Sequence, residues 1–482
     1  MTAGLVALIA LALLPYGGES VVIVGAEWFP GAGSMGLALD VSSLCVVLVN
    51  SAAGCLVFLY ALADDVRPTP LSWTLMLLAL GAANAAFLAD HFLGRYVALE
   101  IVALCVALLP LVEFRDSAAG IRLSSAIYLL LRLGDAGLLV AILELEAVSG
   151  TLFITPALQA GEALSGAPLQ TMVVGFVLAV WVKLGGWPFH LWVQAGRRLA
   201  LASRLWLYAT LVPSLGAYLL YRVTPLLAVS SALQTTVLWI GAGGALLAAL
   251  ILTQTDQDRM LAYAGALQSG LILCVAAAGV KYAVWFGLLA LIPVRLLLFL
   301  SVDLAKRRLL PTWRRVTVAL FVLGGLALVT LDMLHIWWSG EGGASSAALF
   351  VAEMAVGLTA LWVIRMAWQL WHLEPALKSA DGAAGGRVMR WVAIGGLAGG
   401  VLVGGGMFRP LVHSLSRAAD VTLPLPSSWW ALWLPSFVPL ALLGGGILGL
   451  ILGWQRNRWV RKGIPVPPPL GEARKGDRDS AW

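Results

Sequence analysis

The sequence predicts an all-α fold, a polytopic transmembrane helical bundle of about fourteen spans. Composition is the first ground: 60% of the 482 residues are hydrophobic and only 12% charged, with a mean hydropathy of +0.91, far outside an ordinary soluble domain. The second is that apolar stretches recur along most of the chain, many long enough for the ~20 residues that cross a hydrocarbon core at 1.5 Å per residue. The third is that Lys and Arg collect in alternate loops, as they do when a chain threads a bilayer.

In order, spans are expected near 2–16, 37–62, 71–92, 94–114, 122–145, 169–187, 204–222, 233–254, 259–279, 282–303, 316–336, 346–371, 390–408 and 430–454. Lipid offers backbone groups no hydrogen-bond partners, so such runs are helices or closed barrel strands, and their length excludes a barrel. With the N-terminus in the cytoplasm, most of the 31 Lys and Arg fall in inner loops and in the tail. The expected topology is therefore a cell (inner) membrane protein with both termini cytoplasmic. The basic charge orients the chain and does not require nucleic acid.

Segments 17–35 and 146–168, without Lys or Arg, are expected as external loops. The four cysteines sit within spans without a C-x-x-C, which suggests neither a disulfide framework nor a zinc site. No G-x-x-x-x-G-K-[ST] and no H-E-x-x-H occurs in the sequence, and no G-x-G-x-x-G is read as following a strand, so no cofactor or metal is expected in this chain. Most of the 21 Trp, including Trp337–Trp338 and Trp429–Trp430, fit interfacial belts.

Charge inside a span is costly, so each instance asks for a reason. Glu100 lies mid-span in GRYVALEIVALCVALLPL and Lys183 in VVGFVLAVWVKLGGWPFHLW. They read either as a structural ion pair or snorkelling lysine, or as a proton relay whose two signs tune one another. Gly185, Gly186 and Pro188 break the helix after Lys183, as at a water-lined cavity. His190 follows the break, either as an interfacial residue or as a relay. Arg132 and Asp135 stand three apart on one helix face and are expected to form a structural ion pair. Arg295 has Asp303 as a candidate partner two turns on, and Asp332, His335 and Glu353 are weaker candidates nearer span ends.

Seven motifs in order then resemble the antiporter-like membrane subunits of respiratory complex I and the multisubunit sodium/proton antiporters. They are LDVSSL at 39–44, LADHFLGRYVALE at 88–100, RLGDAG at 132–137, KLGGWPFHLW at 183–192, LGAYLLYR at 215–222, QTDQDRMLAYAGALQSG at 254–270 and RLLLFL at 295–300. The resemblance implies inverted repeats with broken helices. A first half would span 71–222 and a degenerate second half 233–371, preceded by an N-terminal helix and loop (1–35) and a second span (36–70). A Gly-rich cytoplasmic linker (372–389), C-terminal spans (390–454) and a basic, Pro-containing tail (455–482) would complete the chain.

The resemblance also implies roles. Glu100 and Lys183 fall on the family's gating carboxylate and lysine, and Tyr208 on a histidine of the broken helix. Arg295 falls on a second-half lysine, where a guanidinium holds its proton permanently. The proton path expected from residues and resemblance together comprises Glu100, Lys183, His190, Tyr208, Arg295, Asp303, Asp332, His335 and Glu353.

Set against the large complex I subunit, one N-terminal helix and a long lateral helix are expected to be missing. In this the chain resembles shorter relatives of the DAB type, which pair with a large zinc-containing, carbonic-anhydrase-like protein to accumulate dissolved inorganic carbon. Three functions follow as expectations: a proton- or cation-conducting subunit energising inorganic carbon uptake, with zinc in a partner; a subunit of a complex I-like or hydrogenase-linked oxidoreductase; and a non-conducting scaffold. An enzyme acting alone is not expected.

Overall fold

A computed structural model of the chain describes residues 2–14, 22–27, 34–62, 68–114, 117–253, 259–279, 281–306, 314–325, 327–328, 346–372, 388–399 and 401. They form a helical bundle. Eight helices are long and apolar enough to cross a membrane: α2 (Val41–Leu62), α3 (Pro70–Leu88), α4 (Phe92–Glu113), α5 (Ala118–Ser149), α7 (Gly166–Leu184), α10 (Ser231–Leu252), α12 (Lys281–Lys306) and α14 (Ser346–Trp371). Shorter apolar helices are α1 (Thr2–Leu13), α11 (Met260–Ala277) and α15 (Val388–Gly399). The rest are α6 (Ile154–Glu162), α8 (Leu191–Ala195), α9 (Val212–Leu227) and α13 (314–325).

The chain is thus a multi-pass membrane protein, with eight full-length spans among the described residues where about fourteen were expected. The span at 430–454, the ends of those at 390–408 and 316–336, most of the linker and the whole tail lie outside the described residues. The external loop expected at 17–35 carries a hairpin instead, β1 (Val22–Glu27) antiparallel to β2 (Ser34–Ala38), with Val22 opposite Ala38 and Ile23 opposite Leu37. The β-branched run Val22, Ile23, Val24 favours strand over irregular loop.

Apolar side chains face both ways, as lipid requires. Leu8, Leu129, Val174 and Trp368 are exposed on the outside of the bundle, while Trp192, Trp206, Trp285 and Tyr208 are buried within it. The central helix is α12, whose apolar window is 83% buried against 44–61% for the other spans.

Small residues set the closest approaches. A Cβ on Gly137 of α5 would sit 2.9 Å from the Gly175 carbonyl of α7, and one on Gly134 would sit 2.9 Å from Val182 Cβ. Glycine at both positions lets α5 and α7 lie nearly backbone to backbone, which brings residue 135 to residue 183.

The span expected over 204–222 is not one α-helix. Ser203–Leu211 forms a wide π-helical segment that runs on into α9. Such widening leaves carbonyls poorly committed along the axis and recurs at functional sites.

Candidate functional site

Lys183 lies in the last turn of α7. Gly185 ends that helix with a left-handed φ of 67°, its N–H donating to the Val182 carbonyl at 3.1 Å while Gly186 N–H donates to Trp181 O at 3.0 Å. This is the glycine C-cap that a residue with a Cβ would resist. The Trp192 indole N–H reaches Val182 O at 2.8 Å and the Ser269 hydroxyl reaches Leu184 O at 2.8 Å. The carbonyl-rich end of a helix favours a cation, so Lys183 carries its charge where the backbone already welcomes it.

The ion pairs differ from those expected. Arg132 and Asp135 do share a face of α5, but each turns to a neighbouring helix. Arg132 Nη1 lies 2.5 Å from Glu100 Oε2 on α4, and Lys183 Nζ donates to Asp135 Oδ1 at 2.5 Å. The Arg132–Asp135 pair is therefore corrected to two interhelical pairs, because α5 lies between α4 and α7 and both neighbours offer an opposite charge at matching depth. Asp135 and Lys183 are 1% and 2% exposed, whereas Glu100 and Arg132 are 13% and 34% exposed. One pair is sealed in the protein and the other borders its surface.

His190, just beyond the break, is buried rather than interfacial. Its imidazole packs on Tyr263 at 4.7 Å between ring centroids, and neither ring nitrogen has a hydrogen-bond partner. Tyr208 is fully buried and donates to the Val106 carbonyl at 2.6 Å.

Arg295 is bound by neutral oxygens. Its Nε donates to Gln268 Oε1 at 2.7 Å, Nη1 to Ala209 O of the π segment at 3.0 Å, and Nη2 to Gly265 O at 2.9 Å and Ser269 Oγ at 3.3 Å. Asp303, two turns on, accepts the Tyr60 hydroxyl at 2.7 Å. Glu353 is half-buried on α14, which packs on α10 and α11. Asp332 and His335 lie outside the described residues.

A third group closes one end of the bundle. Asp40 caps α2, taking the Ser43 N–H at 2.6 Å and the Ser42 and Ser43 hydroxyls at 2.7 Å, and it pairs with Arg222 at 3.3 Å. Burial pushes its carboxyl up, but the Ser43 and Ser42 hydroxyls, the Ser43 amide and Arg222 outweigh this and hold it below the usual carboxylate value. Arg95, in the first turn of α4, is buried, donating to the Ala86 and Ala89 carbonyls at 3.0 and 2.7 Å. Among the described residues no three His, Cys, Asp or Glu side chains gather to hold a metal.

The α4–α5–α7 charges lie within residues 89–366, the stretch that matches the family described as NADH:quinone oxidoreductase/Mrp antiporter, transmembrane. Over 268 residues the chain is 27% identical to mnhA2 of Staphylococcus epidermidis, described as an antiporter subunit; the match covers 54% of this chain and 33% of that protein. It is 25% identical over 316 residues to subunit L of the NADH-quinone oxidoreductase of Campylobacter jejuni, covering 63% and 53%. The chain thus spans about a third to a half of the curated relatives it matches.

In fold it resembles a chain of the Mrp complex from Dietzia sp. with a TM-score of 0.78 at 20% identity, covering 97% of this chain and 54% of that one. A chain of respiratory complex I from Thermus thermophilus gives a TM-score of 0.68 at 21% identity, covering 86% and 93%. The family match takes in more than half of the sequence, and the chain belongs to the NADH:quinone oxidoreductase/Mrp antiporter transmembrane family.

Proposed function

We propose that this chain is a proton-translocating subunit of a multisubunit membrane complex, and that the charges on α4, α5 and α7 are its switch. The observation that carries this reading is the fully buried Asp135–Lys183 pair standing beside the Glu100–Arg132 pair, of which Arg132 is partly exposed. Arg132 and Asp135 lie one turn apart on α5, near enough to meet whenever Arg132 is released. A proton arriving on Glu100 cancels the charge that holds Arg132. The freed guanidinium turns to Asp135 and competes for it, and Lys183 then holds its proton against a weakened partner in a medium hostile to bare charge. The proton leaves past the helix break, where the His190 imidazole has both nitrogens uncommitted.

The site calls for no cofactor. Arg295 cannot relay as Lys183 can, because a guanidinium does not give up its proton. With one titratable switch and one fixed charge, the chain suits coupling to a partner better than exchange on its own. We infer that the partner's work is inorganic carbon uptake, through a large zinc-containing, carbonic-anhydrase-like cytoplasmic subunit.

Reconstituted in vesicles with its copurifying partners, the complex is expected to lose proton flux with Lys183→Ala and to be slowed by Glu100→Gln. Unchanged flux in both would sink the translocation reading in favour of a scaffold. The copurifying protein tests the use: a zinc-bearing, carbonic-anhydrase-like subunit supports carbon uptake, and redox subunits would replace it with a complex I-like role.

A further inference from the structure

The π segment hands over to α9 at a proline. Val212, where α-helical winding resumes, still sends its N–H back five residues to the Leu207 carbonyl. From there on the winding asks for donors four residues ahead, and the donor for the Ala209 carbonyl would be residue 213. That residue is Pro213, which has no N–H to give. At the free start of a helix the loss is harmless. Here a helical run precedes it and Ala209 is buried, so its carbonyl has to be served from another element.

Arg295 of α12 serves it, with Nη1 3.0 Å from Ala209 O. The guanidinium also lies along α11, where Gln268 Oε1 accepts from Nε, and Gly265 O and Ser269 Oγ accept from Nη2. Gly265 makes the room: a Cβ on it would fall 3.3 Å from Nη1 and 3.6 Å from Cζ. Tyr208, one residue before Ala209, is tied the other way, its hydroxyl donating to Val106 O of α4 at 2.6 Å. Two consecutive residues thus bracket the π run between α4, which carries Glu100, and α12. These four acceptors of Arg295 are neutral oxygens at fixed places. They suit the planar five-donor fork of a guanidinium, and an ammonium would leave some of them without a donor.

We propose that Pro213 and Arg295 are a matched pair of positioning residues: the proline frees the Ala209 carbonyl, the guanidinium takes it, and the bond holds Ser203–Leu211 in its wide winding with Tyr208 turned to α4. With an N–H at position 213 the carbonyl gains a donor within its own helix. The run can then tighten toward α-helical winding, and Tyr208 or Ala209 turns away from its partner. On this assignment Arg295 stands outside the proton path predicted from the sequence and replaces a backbone donor that the chain lacks. The pairing does not depend on the translocation reading, whereas its effect on flux rests on that reading.

The test is a double-mutant cycle in the full complex, read by melting temperature and by proton flux in vesicles. Arg295→Met strands the Ala209 carbonyl and is expected to lower the melting temperature by about 2 °C or more. Pro213→Ala restores an N–H, so added to Arg295→Met it is expected to recover about half of that fall or more, a larger gain than it brings beside an intact Arg295. Equal gains in the two backgrounds would show that the residues are not paired and overturn the proposal. Pro213→Ala alone leaves every charge in place and is expected to melt no lower than wild type while slowing flux about threefold or more. Wild-type flux in that variant would overturn the positioning role. Should Arg295→Met fail to insert, Arg295→Gln takes its place in the cycle under the same criteria. Lys183→Ala separates the claims: flux kept there refutes translocation itself, and the melting cycle then decides the pair.

Discussion

Asp135→Asn separates the pairing seen in the structure from the one that the family resemblance implies. Asp135 and Lys183 are both buried, and their contact of 2.5 Å is the ammonium's ionic partner. Removing one member of such a pair leaves an uncompensated charge and costs about 3–5 kcal/mol. At about 1.4 kcal/mol per power of ten, the charged lysine becomes harder to hold by a factor of about a hundred to several thousand. A cycle that must reload Lys183 with a proton is therefore expected to run at least about a hundredfold slower at neutral pH.

Glu100→Gln removes the partner of Arg132 instead, and Arg132 is 34% exposed and can be solvated when released. Its effect is expected to be smaller, about tenfold or less. The assay is proton flux in vesicles under an imposed potential. A larger loss in Glu100→Gln than in Asp135→Asn would refute the assignment of Asp135 as the partner. A control separates loss of charge from loss of fold. Asp135→Asn combined with Lys183→Met removes both charges and is expected to regain melting temperature but not flux, since replacing a whole buried pair is often neutral or stabilising.

Other substitutions probe the surroundings. Gly216→Val would place its Cβ 2.9 Å from the Leu184 nitrogen and 3.0 Å from Lys183 Cβ, and the forced separation of α7 and α9 should cost about 1–3 kcal/mol in thermal stability, with flux lost alongside. Arg295→Lys keeps the charge but cannot reach Gln268, Ala209, Gly265 and Ser269 together. It is expected to lower stability by about 1–3 kcal/mol for the acceptors left without a donor, and an unchanged melting temperature would show that the guanidinium geometry is not needed. Asp40, held below the usual carboxylate value, contributes stability that is present above about pH 4 and is lost as the pH falls through its lowered folded value. The melting-temperature gap between wild type and Asp40→Asn should therefore be full at pH 6 and close below about pH 4.

The helices, the break after Lys183 and the unusual charges at Glu100 and Lys183 are legible in the sequence, because lipid makes each apolar run and each buried charge conspicuous. The partners are not. Spacing places Arg132 and Asp135 on one face and suggests they meet, but it is blind to what α4 and α7 present at the same depth. With Glu100 on one side and Lys183 on the other, each α5 charge gains a partner of its own, and the local pair gives way to two long-range ones. The surroundings of Arg95 are hidden for a similar reason: the turn at the end of α3 offers it the Ala86 and Ala89 carbonyls, and no residue pattern announces a backbone acceptor.

Two of the buried cations among the described residues, Lys183 and Arg295, are held in different ways. Lys183 has one ionic partner, and its charge depends on whether Asp135 stays committed to it. Arg295 donates to four neutral oxygens on α11 and the π segment. They are also linked through Ser269, whose Oγ takes an Arg295 N–H and whose hydroxyl lies within reach of both Gly265 O at 2.7 Å and Leu184 O, the carbonyl next to Lys183, at 2.8 Å. A permanent positive charge tied to the end of α7 opposes any second cation that approaches from its side, because Coulomb repulsion is weakly screened in the bundle interior. On the proposed reading, a proton freed from Lys183 would be turned toward His190 and the helix break, and the fixed guanidinium of Arg295 would give that relay a direction.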